Sequence, residues 1–248
     1  LLVSEWTGAE PVITTATDLH GKFAVDAFAA RRDLYIDSMP LAKEIAAALV
    51  EDKKVGIYSA FPVLGTVPAE LTQVENLYGV ESDETKAEKQ NLLPLGFSIT
   101  YRKNQPFSHT LHLVPKTVVL GIGCKRGTEA ESIRALIRET LAQNQIFKES
   151  ICLIASIDLK KDEEGIRICA EELGVPFVTW SAEELEQVQS EDGFTESAFV
   201  RSVAGVGNVC ERSALKGAGT SRLLIRKTAH NGVTVAAAVK DYTVCMED

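Results

Sequence analysis

Thr117-Val118-Val119-Leu120-Gly121-Ile122-Gly123-Cys124-Lys125-Arg126-Gly127-Thr128-Glu129-Ala130-Glu131 reads, in that order, as a strand, a turn and the start of a helix. The uncharged, β-branched opening suits a strand buried on both faces. Three glycines then make the turn, and Thr128 with Glu131 has the spacing of a capping box. Ile133, Leu136, Ile137 and Leu141 follow with helical period and supply an apolar stripe.

The order repeats toward the C-terminus. Ile151 to Ser156 is a strand, Asp162 to Leu173 a helix closed by Gly174, Pro176 to Trp180 a strand, and Ser181-Ala182-Glu183-Glu184 a second capping box. Such alternation defines an α/β fold. Its close differs: Arg222 to Lys227 and Val233 to Val239 flank His230-Asn231-Gly232, a hairpin signature. A mixed sheet flanked by helices and ending in an antiparallel hairpin is therefore expected over 116–248.

Toward the N-terminus the same alternation is sparser. Pro11 to Thr15 reads as a strand, Phe23 to Ala30 as a helix, Leu41 to Val50 as a second helix and Lys54 to Tyr58 as another strand. From Ala60 to Gln105 the pattern weakens, with a solvated charge run at Glu81 to Gln90 and one alternating strand at Phe97 to Tyr101. The expected organisation is two α/β units: a partial one over 1–59, a connecting region over 60–115, and the unit over 116–248. Leu1 to Gly8 reads as the last turns of an amphipathic helix without an initiator methionine, so a preceding segment is expected.

Composition excludes several functions. The chain has 248 residues with near-average apolar and charged fractions and a formal charge of -9, which repels nucleic acid and acidic membranes. It holds no run of about eighteen apolar residues and no signal peptide, so a cytoplasmic location is expected. Five widely spaced cysteines read as reduced thiols, and four scattered histidines do not suggest a metal centre. His109 and His112 face opposite sides of an extended segment and read as structural.

Three segments could carry chemistry. At Gly121 to Gly127 a helix N-terminus offers free N–H groups to an anion, reinforced by Lys125 and Arg126. Alternatively Gly121, Gly123 and Gly127 only allow close packing and both cations are solvated. Cys124 there reads as a small buried filler. The dinucleotide fingerprint is displaced, since the third glycine comes one residue late, although Asp158 could meet a ribose; a nicotinamide-dependent enzyme stays as a distant rival. The second segment, Gly205-Val206-Gly207-Asn208, precedes a short helix ending at Gly217 or Gly219, where Glu211 either complements the helix dipole or faces a ligand as an acid. The third crowds Thr14, Thr15, Thr17, Asp18, His20 and Lys22 into one strand-to-helix connection. His20 could move protons, Asp18 orient it and Lys22 bind a carboxylate or oxyanion, or else Thr17 or Asp18 caps the helix and His20 is solvated.

Taken together, Pro11 to Asp26, the turns Gly121 to Thr128 and Gly205 to Glu211, and Lys227-Thr228-Ala229-His230-Asn231-Gly232-Val233-Thr234 resemble the CbiG family of cobalamin biosynthesis, the cobalt-precorrin 5A hydrolases. The half from Lys116 also resembles the stand-alone CobE-type domain. The resemblance implies a hydrolase that opens a δ-lactone and releases acetaldehyde during contraction of a corrin ring. The cobalt belongs to the substrate, so no protein-bound cofactor or metal is implied. Many carboxylates on such a corrinoid suit Lys125, Arg126, Lys22, Thr15, Thr17, Asn208 and the amides of Gly121, Gly123, Gly127, Gly205 and Gly207 as anchors. His20, Asp18 and Lys22 are then the expected catalytic groups, with Glu211 as an alternative acid or base. Other enzymes of the pathway are possible partners, and a non-catalytic tetrapyrrole carrier is the alternative. Family members usually begin with a further α/β segment upstream.

Overall fold

The computed structural model describes residues 22–74 and 93–247, so the expected strand at Pro11 to Thr15, the charge run, and Thr15, Thr17, Asp18 and His20 lie outside the described residues. In the first half, helices α1 (Val25–Arg31) and α2 (Met39–Val50) pack beside a five-stranded sheet. Its strands are β1 (Tyr35–Ile36), β2 (Val55–Ser59), β4 (Leu71–Gln73), β5 (Leu95–Ile99) and β6 (His109–Val114), in the order β1-β6-β5-β2-β4. All neighbours run parallel except β1 against β6. Thus the segment expected as a connecting region contributes three of these strands, with a buried core around Phe28, Ile45, Ile57, Phe97 and Leu111.

In the second half, β7 (Val118–Cys124), β8 (Ile151–Ile157) and β9 (Phe177–Trp180) run parallel. The hairpin of β10 (Leu223–His230) and β11 (Val233–Val239) adds antiparallel to β7, giving the order β10-β11-β7-β8-β9. Asn231 and Gly232 both have positive φ, 49° and 81°, as a tight two-residue hairpin turn requires.

Alternation along β7 explains its two-sided burial. Val118, Leu120 and Ile122 pack under α3 (Ala130–Gln143) and α4 (Glu164–Leu173), and Val119 packs under α7 (Cys210–Ala218) on the other face. Gly121 takes its place on that second face because nothing larger fits. A Cβ there would lie 1.8 Å from the carbonyl oxygen of Cys210. Near the end of β8 and β9, α5 (Ala182–Glu186) and α6 (Ala198–Ala204) complete the layer. The capping box at Ser181 and Glu184 forms as expected, whereas α3 starts from Glu129 without a side-chain cap. Thr128 instead donates its hydroxyl to the carbonyl of Lys125, which tightens the turn.

The halves are joined edge to edge. Lys103 N–H donates to the Gln145 carbonyl at 2.7 Å, Phe147 N–H to the Tyr101 carbonyl at 3.0 Å, and Arg102 bridges to Ile146. The chain then returns from the second half: β12 (Val244–Cys245) pairs with β3 (Val63–Leu64), and Val244 and Met246 enter the first core. Arg32 fastens this return through hydrogen bonds to the carbonyls of Cys245 and Glu247. Among the described residues no helix is long and apolar enough to cross a membrane.

Candidate functional site

In an open α/β sheet the loops part, and leave a crevice, where successive strands depart in opposite directions. In the first sheet that point is unambiguous. From β2 the chain goes outward to β4 on one side, then returns to place β5 and β6 on the other. A cleft of about 480 Å³ opens there, lined by Tyr58, Ser59 and Ala60 after β2, Thr100, Tyr101, Arg102 and Asn104 after β5, and Gln145 from the second half.

Each wall is held by short-range bonds. Ser59 Oγ donates to the Phe61 carbonyl at 2.7 Å, and Thr100 Oγ1 accepts from Arg102 N–H at 3.0 Å. Arg102 lies 5.4 Å from the Tyr101 ring centre and donates one N–H to the Asn144 carbonyl. Beneath them His112, 3 % exposed, holds Nδ1 2.6 Å from Asp37 Oδ2 and Nε2 2.7 Å from the Asn104 carbonyl. His109 faces the other way and pairs with Glu44, as expected for an extended segment. The described cleft residues come from three distant segments, and none carried a motif.

The turn at Gly121 to Gly127 lies elsewhere, at the carboxyl edge of the second sheet, beyond the junction by the length of β7, about 20 Å. Here the expected anion is present but belongs to the chain. Glu163, 8 % exposed, accepts from Gly127 N–H and from Lys160 Nζ at 2.8 Å. Burial alone raises a carboxyl pKa, yet the Lys160 and Gly127 hydrogen bonds outweigh it and hold Glu163 below the usual carboxylate range. The Gly127 amide is therefore already committed. Lys125 and Arg126 remain exposed on this edge, beside the hairpin tip, where Lys125 N–H donates to the Gly232 carbonyl at 3.2 Å. Cys124 is a filler: burial raises its thiol pKa despite nearby Lys160.

The second glycine-rich turn is likewise occupied. Gly205 ends α6 at φ 79°, and Gly207 faces Glu196 so closely that a Cβ would fall 1.4 Å from its carboxylate. Asn208 donates to Glu211, and its Oδ1 accepts from Glu211 N–H. The Glu211 carboxylate, fully buried, accepts from the amides of Thr195 and Lys227, from the Thr195 hydroxyl and from Asn208. Four donors from its own chain leave no face of Glu211 for a ligand, which corrects its reading as an alternative acid or base. It ties α7 to β10.

Lys22 sits at the opposite end of the molecule. It pairs with Asp52 at 2.5 Å, whose hydrogen bond raises the lysine pKa, while neighbouring Phe23 N–H donates to Glu70. Asp52 and Glu70 precede β2 and β4, so this is the amino edge of the first sheet. Lys22 and the Lys125–Arg126 pair do not meet, and Asp158, the residue proposed for a ribose, accepts a hydrogen bond from Thr179.

Residues 118–238 match the family described as cobalamin synthesis G C-terminus, and residues 23–115 the one described as cobalamin biosynthesis central region. A cobalt-precorrin-5A hydrolase of Salmonella typhimurium is 32% identical over 237 residues, covering 94% of this chain and 64% of that protein. Another, from Priestia megaterium, is 28% identical over 251 residues, covering 94% and 63%. Protein CobE of a Sinorhizobium species is 35% identical over 108 residues, 44% of this chain and 70% of its own length. A crystal structure of CobE covers 50% of this chain and 91% of its own, at 31% identity and a TM-score of 0.45. The chain spans less than two thirds of the length of the two hydrolases.

Proposed function

The chain belongs to the cobalamin synthesis G family, spanning its central region and C-terminus, and from that premise we propose that it acts as a cobalt-precorrin-5A hydrolase. The observation that carries this reading is continuous similarity to proteins of that name over 94% of the chain, through both halves and the junction between them.

The reaction so proposed begins with water adding to the δ-lactone carbonyl. The acyl C–O bond breaks, leaving a carboxylate on the macrocycle and a hydroxyl on the carbon that was esterified. Loss of the hydroxyl proton forms a C=O bond as the neighbouring C–C bond breaks. Acetaldehyde departs, and the electron pair left on the macrocycle takes up a proton. Donors near the carbonyl oxygen and a group to move the two protons are required.

The junction cleft is the part of this chain suited to the reacting edge, because it is walled by both halves and sits at the first sheet's switch point. Lys125 and Arg126, exposed on a chain of net charge -9, are proposed to hold peripheral carboxylates of the same substrate or of its product. His20 and Asp18 stay the proposed proton-handling pair. One observation favours a second reading, that of a tetrapyrrole-binding protein without turnover: among the described residues the cleft lining contains neither a carboxylate nor a histidine.

Anaerobic incubation of the protein with enzymatically prepared cobalt-precorrin-5A, trapping acetaldehyde and weighing the product by mass spectrometry, tests this. Stoichiometric acetaldehyde is expected. Tight binding without acetaldehyde replaces the hydrolase by the carrier.

A further inference from the structure

A second cavity lies behind the junction. Arg102 and Gln145 line the junction cleft, whereas their chain neighbours Lys103 and Ile146 line a separate cavity of about 430 Å³. Side chains alternate along an extended, paired backbone, so the strap in which Arg102 bridges to Ile146 has one cavity on each side. The long wall of the second cavity is α3, where Arg134, Ile137, Arg138 and Leu141 recur at spacings of three and four and so share one side of the helix. Leu173, half-buried at the end of α4, joins Ile137, Leu141 and Ile146 in an apolar floor. Charge gathers above that floor. Arg134 is taken up by Glu131 and Glu172, and Lys148 stands loosely, 3.9 Å from Glu149. Lys103 and Arg138, both exposed, have no carboxylate partner among the described residues, and Lys103 Nζ rests 5.3 Å from the centre of the Phe147 ring. Four cations against two carboxylates thus line this cavity, on a chain of net charge -9.

We infer that this cavity is a binding site for a small amphipathic carboxylate, its hydrocarbon body on the floor of Ile137, Leu141 and Leu173 and its carboxylate on Lys103 and Arg138. The floor favours a hydrocarbon and the unneutralised cations favour an anion, and only a molecule with both parts satisfies the two at once. Size decides between a small molecule and a peptide. One turn of α-helix, roughly 10 Å across and 5.4 Å long, already fills about 430 Å³, whereas small-molecule sites begin at about 300 Å³. Lys103 belongs to the first half and Arg138 to the second, so the bound carboxylate ties the halves together across the strap. The inference rests on this cavity alone and is independent of the hydrolase reading.

The test is a titration of the isotope-labelled full chain with butyrate, hexanoate, octanoate and octan-1-ol, following the methyl signals of Ile137, Leu141 and Leu173. Saturable shifts are expected, with affinity rising about tenfold for each two methylenes added to the acid. Octan-1-ol, which keeps the hydrocarbon and lacks the charge, is expected to bind about tenfold more weakly than octanoate. Lys103→Gln with Arg138→Gln should remove that preference and leave octan-1-ol binding and the melting temperature unchanged, both side chains being exposed. Ala142→Trp, at an exposed position of the same lining, should exclude both ligands. Equal affinity for octanoate and octan-1-ol overturns the inference, as does an affinity that ignores chain length. So does the lack of a saturable shift at these methyls, or undiminished binding by Ala142→Trp.

Discussion

Asp37 grips His112 twice, accepting its backbone N–H at 2.9 Å through Oδ1 and its Nδ1–H at 2.6 Å through Oδ2. Nε2 on the other side of the ring lies 2.7 Å from the Asn104 carbonyl, so the ring is held from both of its nitrogens. This chain of contacts runs from the start of α2 through β6 to the cleft wall. Asp37→Ala is expected to cost about 2–4 kcal/mol in urea unfolding, and Asp37→Asn less, since the amide oxygen still accepts. An unchanged midpoint for Asp37→Ala would show the pair to be idle.

Glu163 makes stability depend on acid. Its folded pKa is lowered, so its contribution is complete above the unfolded carboxyl value and disappears as pH falls through the lower folded value. Glu163→Gln should therefore lose about 1–3 kcal/mol at pH 7, a gap that shrinks as pH falls below the ordinary carboxylate range and closes only below the lower folded value. Unfolding midpoints across that range decide it; a gap that persists at low pH would point to packing rather than charge.

Gly121→Ala should push α7 away from β7, because the new Cβ meets the Cys210 carbonyl and the Ala214 amide rather than a movable side chain. A loss of about 2–3 kcal/mol is expected, read from the thermal midpoint. The thiol of Cys210, whose pKa burial raises to about 11, should then react with iodoacetamide faster than in the parent.

Gln145→Gly tests the backbone strain at the end of α3. Relief at φ 52° is expected to leave the melting temperature equal or higher, by up to about 1 kcal/mol in stability. A destabilised Gly variant would mean that the side chain serves the fold.

Lys125→Gln with Arg126→Gln should leave stability unchanged, both residues being exposed, and, on the hydrolase proposal, raise KM for cobalt-precorrin-5A by about tenfold at low salt. The difference should shrink as salt is added. If kcat falls instead at constant KM, the pair acts on the reaction and not on binding.

Much of the second half was legible because its central strands are largely apolar, and two of them run straight into a glycine turn or a capping box, at Val118 to Gly123 and at Ser181. The first sheet was harder to read. β5 and β6 bury Ser98, Thr110 and His112, which blur the hydrophobic period although each lies inside. The glycine turns advertised an anion, but Glu163 and Glu196, which fill them from distant positions, are charged residues like any surface glutamate in the sequence. The cleft left no trace at all, since residues at 58–60, 100–104 and 145 become neighbours only through strand order.

The return of the tail to β3 has a consequence for synthesis. Val244 and Met246 are core residues of the half that is translated first, so that half has an open seam while the second half is still emerging from the ribosome. The second half is thus nested inside the first in chain order, and a cut at residue 116 would not release two finished pieces. Arg32, waiting for carbonyls more than two hundred residues downstream, marks the seam that closes last.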